Sequence, residues 1–139
     1  MNGSDDLVII SHHIKQTLDP RLQKSAEDNL RQLEASPNFL LNLIQLIKSD
    51  NVDAAVRFGA VIYFKNFIKR NWHIMPTEAD CKIGGNERIA IKNEIIPLLC
   101  SLPSNLQIQL GDCVSAIAES DFPEQWPEII PTIRDELTD

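Results

Sequence analysis

Arg57-Phe-Gly-Ala-Val-Ile-Tyr-Phe-Lys-Asn-Phe-Ile-Lys-Arg-Asn-Trp72 is the stretch that decides the fold. It holds no proline and is apolar on nearly every side, with Phe58, Ala60, Ile62, Tyr63, Phe64, Phe67 and Ile68 following Ala55 and Val56. A helix with so little polar surface is covered on several sides. One stripe differs. Asp53, Arg57, Val61, Lys65 and Lys69 follow an i, i+4 line that is mostly charged. The spacing therefore predicts a central helix over 53–71, with one lane open to solvent or to a partner. Asn66 lies off that lane, toward the packed faces. A buried amide needs hydrogen-bond partners, so Asn66 is expected to tie a neighbouring backbone turn. Trp72, just past the helix end, is expected to seal the hairpin with its indole N–H at the rim.

Working outward, nearly every punctuation mark is a helix signal. Leu7, Ile10, Ile14 and Leu18 recur at helical spacing after Ser4-Asp5-Asp6, which predicts a helix over 5–18. Asp19-Pro20 reads as an N-cap followed by proline at the first helical position, and Leu22, Ala26, Leu30 and Leu33 line one face of a helix over 20–34. Ser36-Pro37 repeats the signal before Phe39, Leu40, Leu43, Ile44 and Ile47, for a helix over 37–49. Asn51 or Asp53 caps the central helix. Residues 72–85 form the one long loop, with Pro76, Gly84 and Gly85, either functional or mobile. Asn86 restarts a helix to Cys100, in which Pro97 implies a kink or a shorter element. Pro103 opens another to Glu119, on Leu106, Leu110, Cys113, Val114 and Ile117. After Asp121-Phe-Pro, Pro127 begins a last helix through Ile129, Ile130, Ile133 and Leu137.

No stretch reads as strand. The helices pair into hairpins of about 34 residues, over 5–35, 37–71 and 86–120, with a partial fourth over 122–139; such a period indicates a solenoid. The expected fold is an all-α, right-handed α-α superhelix of about three and a half hairpins. The pattern stops one helix into its fourth unit without a polar capping helix, so this region is expected to be a piece of a longer array.

Composition narrows the function. The chain has 139 residues, 43% of them hydrophobic and 24% charged, which suits one folded domain with a sizeable core. Its net charge of −7 argues against duplex DNA, whose counterions a basic surface must displace. The charge is uneven. Residues 1–53 carry 5 basic and 8 acidic side chains, residues 54–93 carry 7 and 3, and residues 94–139 carry 1 and 9. A basic middle between acidic ends suggests that the middle meets an acidic partner, although a solvated helix face gives the same pattern. No apolar run approaches a membrane span, and the polar, acidic start predicts neither a secretory leader nor, with Asn2, myristoylation.

Chemistry-bearing motifs are sparse. Cys81, Cys100 and Cys113 are odd in number and in no metal-ligand spacing, as suits free thiols in a reducing compartment. His12 and His13 point about 100° apart on a helix and cannot chelate one ion together. Gly84-Gly85 lacks the Gly-Lys-Ser/Thr of a phosphate loop and reads as a turn. No nucleophile, His and Asp trio has a local signature, so neither an enzyme nor a cofactor is expected.

The ordered set Ala26-Glu27, Leu30, Pro37-x-Phe39, Arg57, Ala60, Lys65-Asn66, Ile68 and Trp72 resembles the amino-terminal domain of the importin-β (karyopherin-β) family of nuclear transport receptors. Within that family the chain is most similar to the CAS-type exportin branch, which returns importin-α to the cytoplasm. The residues behind the narrower likeness are Thr17-Leu18-Asp19-Pro20, Phe64 to Trp72, Arg88-Ile-Ala-Ile-Lys92 and Asp121-Phe-Pro-x-x-Trp126-Pro127. Gly59 departs from the pattern, where a larger small residue is usual nearby; it is expected to loosen the helix locally without touching the charged lane.

The resemblance implies stacked HEAT repeats whose inner B helices, here 20–34, 53–71 and 104–119, face the GTP-bound form of the small GTPase Ran. Arg57, Lys65 and Lys69 are then the candidate contacts, with Arg70 beside them. Asn105, Gln109, Asp112, Ala116 and Glu119 form the matching polar-to-acidic lane of the third pair, from which Gln109 and Asp112 are the candidates. Asn66, Trp72 and Trp126 are the structural residues of the motif. The implied partners are Ran-GTP, importin-α as export cargo and nucleoporin Phe-Gly repeats, with no nucleic acid and no membrane insertion. The implied location is shuttling between nucleus and cytoplasm. An import receptor of the same family, a VHS- or ENTH-like trafficking module and a generic scaffold solenoid are the competing readings. Membrane-binding versions of the trafficking module need a basic amino-terminal helix, whereas residues 1–18 offer Lys15 against Asp5 and Asp6.

Overall fold

A computed structural model describes residues 3–36, 38–74, 77–79, 81–121, 126 and 134. Among these, every regular element is a helix: α1 Gly3–Gln16, α2 Gln23–Leu33, α3 Phe39–Lys48, α4 Ala54–Asn71, α5 Gly85–Ser101 and α6 Ser104–Asp121. The chain divides into two compact units, one through Phe64 and one from Lys65, so that α4 contributes to both. The helix expected from Pro127 falls outside the described residues apart from Arg134.

The first unit is built on apolar faces at helical spacing. Ile10 and Ile14 of α1, Ala26 and Leu30 of α2, Leu43, Ile44 and Ile47 of α3 and Ala60 and Val61 of α4 are all buried. The larger of these side chains are each stabilised by about 1.5–3 kcal/mol on leaving water, and they dominate the unit's favourable energy. Gly59 is part of this packing. A Cβ there would stand 2.9 Å from Ile14 Cγ2, closer than real Cβ contacts come. The glycine thus lets α4 approach α1, and its role is close contact, not local loosening.

Local chemistry moves two of the expected starts. Asp19 does not cap a helix at Pro20. Its carboxylate accepts from the Arg21 backbone N–H at 3.0 Å and from the Arg21 guanidinium at 3.4 and 3.2 Å. That closes a turn over 17–22, and α2 begins at Gln23. The same bonds hold the Asp19 carboxyl below its ordinary range. α3 begins at Phe39 behind Asn38, whose φ of 63° is left-handed, a conformation asparagine tolerates better than most residues. Pro37 lies outside the described residues. Asp53 is the cap of α4, its Oδ1 accepting from the Ala55 N–H at 2.8 Å.

The second unit packs Phe67, Ile68 and Trp72 with Ile91, Ile95 and Ile96 of α5, and Leu110, Cys113 and Ile117 of α6. Helix α5 runs through Pro97 to Ser101 without ending. Proline removes one N–H there, and the ring and Asn93, the residue four before it, are both exposed. The α5–α6 turn is fastened by Gln107 Nε2, which donates to the Leu99 carbonyl at 3.1 Å.

One buried arginine organises the loop after α4. Arg88 donates from Nε to the Ile83 carbonyl at 3.0 Å, from Nη1 to the Trp72 carbonyl at 2.8 Å and from Nη2 to the Ile74 carbonyl. Its guanidinium also lies 4.8 Å from the Trp72 ring centroid. Beside it, Lys92 Nζ is 2.7 Å from Asp121 Oδ2, and that carboxylate is 5% exposed. The described loop residues are therefore gathered onto α5. Trp72 itself is fully buried, and its Nε1 meets no acceptor among the described residues, so the indole N–H is not at a rim as expected. The cations over its face explain why burial of the ring prevails over exposure of the N–H. Trp126 is buried as well.

Candidate functional site

The residues expected to meet a partner separate once placed. An i, i+4 line is not a straight lane: four residues advance about 400°, so the line rotates about 40° per step and Arg57 and Lys69 point about 120° apart. Val61, in the middle of that line, is buried completely. The exposed residues of α4 are instead Ala55, Phe58, Asn66, Lys69 and Arg70. Asn66 is thus on the surface, where water satisfies its amide. Its neighbour Asn71 is the buried amide, and it donates from Nδ2 to the Phe67 carbonyl at 3.0 Å within its own helix.

Arg57 belongs to the first unit and is turned inward. Its Nε and Nη2 donate to the Ile47 carbonyl at 3.0 and 2.8 Å, closing the C-terminal end of α3. Its Nη2 also lies 3.8 Å from Asp50 Oδ1. The Arg57 side chain is 12% exposed, and the Asp50 side chain is 99% exposed. An ion pair so open to water adds little.

In the second unit, the end of α4 and the face of α6 come together. Lys65 Nζ donates to Gln109 Oε1 at 2.7 Å, and both side chains are half-buried. An ammonium has only donors, so the amide presents its oxygen. One turn on, Lys69 and His73 line a shallow open groove with Ala116, Glu119 and Ser120. Gln109, Asp112, Ala116 and Glu119 follow each other by three or four residues, so they share one face of α6; Asp112 and Glu119 on it are exposed. Beneath this face Cys113 is buried, and burial pushes its thiol above the ordinary range, although Lys69 and Lys65 pull the other way. It packs as a small neutral residue. Arg70 folds back over its own helix, donating from Nε to the Asn66 carbonyl at 3.2 Å with Cζ 6.0 Å from the Phe67 centroid. A cation there also favours the negative end of the α4 dipole.

The second unit therefore joins Lys65, Lys69, Gln109 and Asp112 of the expected set, while Arg57 serves the first unit and Arg70 lies against α4. Two polar nodes were not foreseen: Arg88 on the loop carbonyls, and the Tyr63 hydroxyl donating to the Glu34 carboxylate across the first unit. Arg88 and Lys92 stand four apart and so share a helix face, a usable hint, but only the fold reveals Asp121 beside Lys92.

The arrangement offers charge and hydrogen bonding, not catalysis. Two ammonium groups face a neutral amide and acidic side chains along an open groove, which suits recognition of a protein surface of mixed sign. Among the described residues, no group of His, Cys, Asp and Glu could hold a metal ion.

Comparison with known proteins adds to this geometry. Residues 26–101, more than half of the chain, match the family described as importin-beta N-terminal domain. The importin alpha re-exporter of Saccharomyces cerevisiae is 37% identical over 139 residues, covering 96% of this chain and 14% of that protein. Exportin-2 of Homo sapiens is 37% identical over 127 residues, covering 90% and 13%. A solved structure described as the exportin Cse1 in its cargo-free, cytoplasmic state superposes with a TM-score of 0.83 and 39% identity, over 91% of this chain and 13% of that one. The chain thus spans about one seventh of the length of these relatives. Its helices have the all-α, HEAT-repeat fold class expected, and its similarity within the family is to exportins. From the matched residues and the shared helical hairpins, the chain belongs to the importin-β N-terminal domain family.

Proposed function

We propose that this chain is part of a nuclear transport receptor of the exportin kind, that it binds Ran-GTP, and that it takes part in returning importin-α from nucleus to cytoplasm. The observation that carries the reading is the pair Lys65 and Lys69 set beside the polar face of α6 in the second unit. It gives a chain related to importin-α re-exporters a charged surface open to a protein partner. Arg57 and Arg70 are secondary candidates, since each already has contacts within the chain. The described hairpins would be one end of a longer solenoid, and contacts with nucleoporin Phe-Gly repeats would follow from the same role. The chain would perform no chemistry: the nucleotide stays in Ran. Coupling would arise by linkage, Ran-GTP and importin-α each raising affinity for the other until hydrolysis ends both interactions.

The test is capture of the chain on Ran loaded with GTP or with GDP, with and without importin-α. Selective capture by the GTP form is expected. A further rise with importin-α marks export, whereas capture that importin-α leaves unchanged favours an import receptor. Reversing both lysines, Lys65→Glu with Lys69→Glu, is expected to weaken GTP-dependent binding about tenfold, or about 1.4 kcal/mol. Undiminished binding by that double variant would remove the groove from the interface. The 139 residues alone are expected to bind weakly by calorimetry; nanomolar affinity would contradict a site that needs further contacts.

A further inference from the structure

Lys65 and Lys69 differ in a way that the proposed Ran-GTP interface makes consequential. Both point toward α6, and both act on the buried Cys113. Only Lys65 is held: its ammonium donates to Gln109 Oε1 at 2.7 Å in a half-buried setting. Lys69 is exposed and makes no hydrogen bond or ion pair among the described residues. A free lysine gives up rotamer freedom when it binds, and one fixed beforehand gives up less. The acceptor matters too. A carboxylate would fix the ammonium equally well but cancel its charge toward a partner, whereas a neutral amide fixes it and leaves the charge whole.

We propose that Gln109 is a positioning residue, not a direct contact: it pre-sets Lys65 so that a full positive charge is presented at a fixed point, while Lys69 acts mainly by long-range attraction. This rests on the Ran-GTP reading above. It divides the labour of the two lysines. Lys65 governs how long a complex lasts, and Lys69 governs how fast it forms.

The test is stopped-flow association and dissociation of the chain with Ran carrying a non-hydrolysable GTP analogue, together with 15N NMR of lysine ammonium groups in the free chain. Gln109→Leu is expected to raise the dissociation rate about threefold at unchanged association rate and unchanged melting temperature. In a Lys65→Met background the same change is expected to do nothing further. Gln109→Glu keeps the lysine ordered but slows association and flattens its salt dependence, because the net charge is lost. In the free chain, the Lys65 ammonium is expected to be ordered when Gln109 is present and mobile in the Gln109→Leu variant. Additive losses from Gln109→Leu and Lys65→Met would make Gln109 a direct contact and overturn the proposal; so would unchanged dissociation in Gln109→Leu. If the unmodified chain shows no GTP-dependent binding, the function reading falls. The NMR arm then decides the positioning separately, supported by an ordered Lys65 and overturned by a mobile one.

Discussion

The two units hold their connections together by different means, and arginine shows the contrast. In the first, apolar side chains close the packing, Gly59 lets α4 sit against Ile14, and Arg57 adds hydrogen bonds to the single carbonyl of Ile47. In the second, a long loop has little apolar surface of its own, and one buried guanidinium gathers the carbonyls of Trp72, Ile74 and Ile83. The first arrangement spreads its stability over many contacts, whereas the second concentrates it in one residue. The contrast teaches that a basic residue in a partner-binding family is not thereby a partner contact. Where a guanidinium has carbonyls to satisfy, it serves the fold first, and the shorter list of unengaged cations points to the binding face.

The largest expected effect lies where stability is concentrated. Arg88→Met keeps the aliphatic stem but strands three carbonyls and removes the cation over Trp72. A loss of about 3–4 kcal/mol in chemical denaturation is expected. A loss below about 1 kcal/mol would mean that the loop is held by other contacts. Gly59→Leu follows: overpacking against Ile14 is expected to cost about 2 kcal/mol. Gly59→Ala is expected to be near neutral, because about 1 kcal/mol of helix propensity offsets the close contact. Arg57→Met touches one partly exposed helix end and is expected to cost about 1–2 kcal/mol, with Ran-GTP binding unchanged once the variant is folded. A tenfold loss of binding with full stability would return Arg57 to the interface.

The legible part of this molecule was local. Apolar residues at helical spacing specified α1 to α6 because each face must be buried, and Asp53 was readable as a cap because its oxygen reaches only the next two or three N–H groups. Asp19-Pro20 misled because Arg21 competes for the same carboxylate, and a turn satisfied it first. The open lane on α4 misled for a geometric reason. A line drawn every four residues wanders off one face, so Val61 was buried and Asn66 exposed. The short step from Lys65 to Lys69 turns about 40° and survives this drift, which is why that part of the site was readable. The meeting of Lys65 with Gln109, and of Lys92 with Asp121, depends on how distant helices pack and leaves no mark in local spacing.

The smallest expected effect is the sharpest check on the contrast between engaged and available cations. Lys69 is exposed and Lys65 is half-exposed, with a neutral amide as its partner. Reversing both charges with Lys65→Glu and Lys69→Glu therefore leaves no buried carbonyl unsatisfied, and both introduced carboxylates can face water. A stability change within about 0.5 kcal/mol is expected in urea, because surface substitutions away from packed features stay in that range. The same variant is expected to lose about tenfold in GTP-dependent binding. A fold that weakens in step with the binding would make these lysines structural, like Arg88. A stable fold with weakened binding places them among the residues that the fold can spare and a partner can use.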